Sequence, residues 1–120
     1  MVLVAVDDLL FSSKIRATAR QVGVDLVFAR TPDDILSQAR TLNPSLVIFE
    51  ITCARADPIR TVAALKSDPD LSGIPTTGFV SHVDTTLIMA ARGAGMDEVM
   101  ARSAFAANLP QILTEMEQQD

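Results

Sequence analysis

Two groups of carboxylates stand where chemistry would be done. An unbroken apolar run, Leu46-Val47-Ile48-Phe49, ends abruptly on Glu50, and a shorter one over residues 2–6 ends on Asp7-Asp8. Bounded by Asn43-Pro44 before it and a polar loop after it, the 46–49 run has the pattern of a strand buried on both faces of a parallel sheet. Ligands in open α/β sheets gather outside the carboxyl ends of the strands, so Glu50 and the acidic pair fall on the edge where a site would form. Two carboxylates at one strand end are hard oxygen ligands suited to Mg²⁺. The plainer reading is a solvated turn with an aspartate near a helix N-terminus.

Three other side chains invite chemistry and are better explained without it. Cys53, in the loop after Glu50, has no second cysteine to pair with and reads as an ordinary loop cysteine. His82 is a lone histidine in a loop and reads as solvated. Asp57 precedes Pro58 and reads as the N-cap of a helix.

Composition narrows the function classes. The chain has 120 residues, enough for one domain with its own core, and its 48% hydrophobic and 21% charged content is that of a folded globular protein. A net charge of −5 disfavours nucleic acid, and with no Trp or Tyr a platform for stacking bases is not expected. Lys14, Arg16 and Arg20 cluster in sequence but read as the solvated face of a helix. No apolar run approaches the ~20 residues of a membrane span. The first residues meet Asp7-Asp8 at once and lack the basic start of a signal peptide. A single cysteine suits a reducing cytoplasm.

The elements that must position the carboxylates follow from periodicity. Residues 2–6 form a first strand, and residues 12–22 a helix with Ile15, Ala19 and Val22 inward, stopped by Gly23. Residues 24–29 are a second strand. Thr31-Pro32-Asp33-Asp34 opens the next helix, with Thr31 as N-cap, Pro32 at the first helical position and two acids at the positive end of the dipole. After the 46–49 strand, Asp57-Pro58 opens a third helix reaching about Ser67. Residues 74–80 read as a fourth strand and Asp84 or a neighbour caps a helix closing at Gly93 to Gly95. Val99-Met100 is a short fifth strand, and a last helix starts near Asn108-Leu109-Pro110. Strands and helices alternating over short loops predict a single domain, residues 1–120: a three-layer α/β sandwich, (βα)5, around a five-stranded parallel sheet.

This order, with particular residues, resembles the receiver domain of two-component response regulators, a flavodoxin-like fold. The likeness spans essentially the whole chain. It is carried by Asp7-Asp8 closing the first strand, by Pro44-Ser45-Leu46-Val47-Ile48-Phe49-Glu50 closing the third, by Leu71-Ser72-Gly73-Ile74-Pro75, and by Ala94-Gly95-Met96-Asp97-Glu98 before the fifth. The resemblance implies an acidic pair that binds Mg²⁺, an aspartate that accepts a phosphoryl group, and a Thr or Ser hydroxyl that contacts it. It also implies a Lys-Pro step after the fifth strand and an aromatic side chain that moves with the hydroxyl.

Placed on this sequence, only the acidic pair matches. Glu50 replaces the acceptor aspartate, its carboxylate displaced by roughly 1.5 Å, about one C–C bond. Val80 replaces the hydroxyl, with Ser81 next to it but pointing to the other side of an extended segment. Arg102-Ser103 replaces Lys-Pro, and Val99 replaces the aromatic. A Glu50–Arg102 salt bridge across the former pocket is the expected consequence, with a solvent-facing Arg102 as its alternative.

These departures together lead to a degenerate, or pseudo-receiver, domain of a bacterial signalling pathway. It is not phosphorylated at the usual site, is not an enzyme, and acts in the cytoplasm through protein–protein contacts. Asp7 and Asp8 are then a vestigial Mg²⁺ site. The partner implied is a histidine kinase, an output domain or a second copy, held through the face of helix four, strand five and helix five, or through helix one; neither nucleic acid nor membrane is expected. The rival is a Mg²⁺-dependent phosphoacceptor receiver using Asp7, Asp8 and Glu50. A small-molecule enzyme on the same fold is disfavoured, because Asp7-Asp8-Leu9-Leu10 stands where a glycine-rich phosphate loop would follow the first strand.

Overall fold

The computed structural model describes residues 1–81 and 84–115. Five strands, β1 (Val2–Ala5), β2 (Leu26–Phe28), β3 (Leu46–Glu50), β4 (Thr76–Val80) and β5 (Glu98–Ala101), form one parallel sheet in the order β2-β1-β3-β4-β5. Helices α1 (Leu9–Val22), α2 (Pro32–Leu42), α3 (Pro58–Ser67), α4 (Thr85–Gly93), α5 (Arg102–Ala107) and α6 (Leu109–Glu115) cover its two sides. The α/β sandwich expected from the alternation is the one observed.

Burial on both faces explains why the central strands are apolar without alternation. In β3, Val47 and Phe49 enter one core with Ile35, Ala39, Val62, Leu65 and Ala91 of α2, α3 and α4. Leu46 and Ile48 enter the other with Ile15, Phe105 and Leu113 of α1, α5 and α6. The register pairs Ala5 with Phe49, Glu50 with Phe79 and Val80 with Ala101, which brings the ends of β1, β3, β4 and β5 to one edge.

Local signals place most helix ends as read. The hydroxyl of Thr31 accepts the Asp34 N–H, Asp84 accepts the Leu87 N–H, and Gly23 ends α1 at φ 76°. Several details differ from expectation, among them β4, which starts at Thr76 and not at Ile74. The helix α1 starts at Leu9, three residues early, because the carboxylate of Asp8 accepts the Phe11 N–H and serves as its N-cap. The strand β2 is only Leu26–Phe28. The terminal helix begins at Arg102 and is interrupted at Asn108; Pro110 has no N–H to continue the ladder, so α6 restarts beyond the break. Asp57 does precede α3, but at φ 41° its side chain caps nothing; its carboxylate lies 3.7 Å from Arg60 instead. His82 and the end of the polar tail, residues 116–120, lie outside the described residues.

Candidate functional site

The carboxyl edge of the sheet gathers Asp7, Asp8, Glu50 and Arg102 as the sequence predicts, but joins them differently. Glu50 ends β3, and its longer side chain reaches across to the loop after β1. There its Oε1 accepts the backbone N–H of Asp7 at 2.9 Å and of Asp8 at 3.3 Å. Asp8 uses one oxygen for the Phe11 N–H at 2.9 Å and the other for Arg102 at 3.1 Å. The Phe11 hydrogen bond, against a smaller opposing effect of burial and helped by the Arg102 charge, holds the Asp8 carboxyl below its ordinary range.

The expected Glu50–Arg102 bridge is therefore replaced by an Asp8–Arg102 bridge. Two features draw Arg102 away from Glu50. Asp8 presents a free oxygen once its other one is used in capping, and the ring of Phe11, one helical turn on, lies 4.6 Å under the guanidinium. Beneath it Phe11, Phe79 and Phe105 stack, with centroids 4.7 Å apart for Phe11–Phe79 and Phe79–Phe105. This column ties α1, β4 and α5 together directly below the site.

The other positions lie as their chemistry dictates. Val80 is buried among the side chains on the α2–α3–α4 side, and Val99 is half-buried against the same cluster. Ser81 is exposed just past the end of β4. Cys53 is buried in that core rather than in open loop, its N–H bonded to the Glu50 carbonyl, so it is a packing residue.

Two residues of the site were not foreseen. Arg30, after β2, and Arg55, in a single 3₁₀ turn (Ala54–Ala56), both reach Asp7 Oδ1, at 3.4 and 3.3 Å. They come from separate loops, so no local spacing in the sequence points to them. Arg30 also lies 5.3 Å from the centre of the Phe28 ring, against which Arg16 stacks at 4.2 Å.

The donor set can be tested against the Mg²⁺ that the fold implies. Both oxygens of Asp8, one oxygen of Asp7 shared by two guanidiniums, and one oxygen of Glu50 shared by two N–H groups are already engaged. Among the described residues no group of three or more His, Cys, Asp or Glu is arranged to hold a metal ion. As disposed, these residues do not fit the ion.

A second polar cluster lies at the opposite, amino end of the sheet. Asp97 Oδ2 accepts the Thr76 N–H at 2.8 Å, the Thr76 hydroxyl at 3.1 Å and Lys66 Nζ at 2.9 Å, while Thr76 Oγ1 accepts the Asp97 N–H. Lys66 completes its donors on the carbonyls of Ser72 and Ile74. Gly95, at φ 107°, passes so close that a Cβ would stand 2.8 Å from Lys66 Cγ. Next to it a cavity of about 360 Å³ is lined by Pro75, Thr77, Glu98, Met100 and Ile112.

No family model matches this sequence, and no curated protein is similar to it in sequence. Solved structures do share its fold. A response regulator from Hahella chejuensis superposes with a TM-score of 0.85 at 18% identity, covering 98% of this chain and 94% of that one. The receiver domain of a sensor histidine kinase from Pseudomonas aeruginosa, with a magnesium ion in its active-site cleft, gives 0.83 at 14% identity over 98% and 97%. A chemotaxis response regulator of Vibrio cholerae gives 0.80 at 13% identity over 96% of both chains. The chain has the receiver fold.

Proposed function

We propose that this chain is a pseudo-receiver: a signalling module of the receiver fold that accepts no phosphoryl group and works by binding other proteins. The observation that carries this reading is the fate of Glu50. Its Oε1 is spent on the Asp7 and Asp8 amides, which ties the carboxylate to the loop after β1 and leaves only Oε2 to meet an incoming phosphorus. In-line transfer depends on placement of the attacking oxygen, and a misplacement of about 1 Å costs ~10²-fold. The surroundings add to this. Val80 offers no hydroxyl and is enclosed by the core, and Arg102, the nearest counterpart of a phosphoryl-pairing lysine, is held by Asp8.

Binding is then the work left to the domain. Leu9 and Leu10, in the first turn of α1 beside Asp8, are 78% and 85% exposed, and Met89 on α4 is 67% exposed. Large apolar side chains grouped on a surface mark contact sites, and these fall on the two faces, helix one and helix four, that a receiver-type partner would use. A histidine kinase, an output domain or a second copy suits them; a net charge of −5 argues against nucleic acid. No described helix is long and apolar enough to cross a membrane, and the proposed place of action is the cytoplasm.

The second reading, a Mg²⁺-dependent phosphoacceptor, draws on the presence of Asp7, Asp8 and Glu50 at one edge of the sheet. Incubation with Mg²⁺ and a small phosphodonor, followed by intact-mass measurement, separates the two. The unchanged mass is expected; the added mass of one phosphoryl group, lost in Glu50→Gln, establishes the rival.

A further inference from the structure

We infer that three arginines have taken the place of the divalent cation, leaving the acidic edge neutralised within the chain and independent of metal. Three carboxylates, Asp7, Asp8 and Glu50, are matched by three guanidiniums, Arg30, Arg55 and Arg102, so the local charge sums to zero. The arginines are not merely nearby. Arg30 and Arg55 converge on one oxygen of Asp7, and Arg102 holds the one oxygen of Asp8 that helix capping leaves free.

They arrive from three elements: the loop after β2, the turn after β3, and the start of α5. With Glu50 stapling β3 to the loop after β1, the cluster cross-links every segment that borders the site except the one after β4. A cation at the centre of a carboxylate cluster does two things: it cancels repulsion, and it fixes the loops that carry its ligands. The arginines do both here. Mg²⁺ gives up its water reluctantly and demands near-octahedral oxygen geometry, so to take Asp7 Oδ1 or Asp8 Oδ2 it would have to displace the guanidiniums that already bind them. This inference concerns the same edge as the pseudo-receiver reading, but either stands or falls without the other, since a domain can bind Mg²⁺ and still accept no phosphoryl group.

The test uses Mn²⁺ as a paramagnetic stand-in for Mg²⁺, observed through broadening of the Asp7, Asp8 and Glu50 amide signals, with melting temperature in Mg²⁺ or chelator as a second readout. The wild-type chain is expected to show no selective broadening at these amides and the same melting temperature in millimolar Mg²⁺ as in chelator. Arg55→Gln, at a side chain 62% exposed, and Arg30→Gln/Arg55→Gln are expected to gain Mn²⁺ affinity. The gain should be about tenfold or more, as removal of a cation a few ångströms from the ion implies. The variants should also melt higher in Mg²⁺ than in chelator. Selective broadening in the wild type at micromolar Mn²⁺, or variants that bind no better than wild type, would overturn the proposal.

Discussion

The two ends of the sheet each hold a carboxylate below its ordinary titration range, and they do so for different reasons. At the amino end, burial pushes the Asp97 carboxyl up, but hydrogen bonds from Lys66 and Thr76 outweigh it. At the carboxyl end, the Phe11 amide does most of the lowering for Asp8, and the Arg102 charge adds to it. Asp97 is clamped onto a fully buried threonine of β4 and a lysine whose side chain is only 19% exposed. Asp7 is held by Arg30 and Arg55 from loops, the latter 62% exposed, and Asp8 by Arg102 at the start of α5. The amino end is thus tied to the framework through the buried Thr76, although the Asp97 side chain itself is 50% exposed, and the carboxyl end is a set of partly exposed ion pairs laid over a stack of three phenylalanines. Carboxylates of site type stand at the carboxyl edge of the sheet, yet most of their oxygens are occupied with holding neighbouring segments.

The largest effect should come from the amino end. Asp97→Ala leaves the Thr76 N–H without its acceptor and takes one of three oxygens from Lys66, and should cost about 1.5–3 kcal/mol in chemical denaturation, the usual range for hydrogen bonds to charged groups. A loss smaller than that of the carboxyl-end variants would reverse the ranking of the two ends. Next, Glu50→Ala frees the Asp7 and Asp8 amides and should cost about 1–2 kcal/mol. Glu50→Gln keeps the accepting oxygen and should lose less, whereas Glu50→Asp, too short to reach both amides, should resemble the alanine variant. Equal stability of all three would mean that the staple contributes nothing.

Arg102→Ala should lower stability less, with about 0.5–1 kcal/mol traceable to the lost contact over Phe11. Arg102→Lys should not restore that share, because an ammonium lacks the flat face that stacks on the ring; full rescue by lysine would show that charge alone matters. The smallest effect is in the acid limb of the stability curve. Asp97 titrates below its ordinary value of 3.8, so its contribution is complete above that pH and is lost as pH falls through the lowered value. Asp97→Asn should flatten this part of the curve below about pH 4, and an unchanged slope would remove Asp97 from the acid transition.

Much of the fold was legible in the residues because its signals are local. Thr31-Pro32, Asp84 and Gly23 mark helix ends by their own chemistry, and the 46–49 run declares burial on both sides. What escaped was mainly long range. Asp8 reads both as a site carboxylate and as an aspartate near a helix N-terminus, and it serves as the N-cap of α1; Pro110 reads as a helix start, which hides the turn and a half of α5 before it. At the site, the gathering of Asp7, Asp8, Glu50 and Arg102 at one edge was legible, but their pairing was not. Glu50 and Arg102 are natural partners by charge, and only the position of Phe11 and the reach of Glu50 decide for Asp8. Arg30, Arg55, and the Lys66–Asp97 clamp depend on loops brought together by the whole sheet, and no spacing announces them.

The most direct test of the inert-pocket account is a titration with beryllium fluoride and Mg²⁺, the pair that forms a phosphoryl mimic on a working acceptor carboxylate, followed by the amide signals of Asp7, Asp8, Glu50, Val80 and Arg102. The account predicts that these signals stay where they are at millimolar concentrations of both. Saturable shifts that need both components and vanish in Glu50→Gln would contradict it.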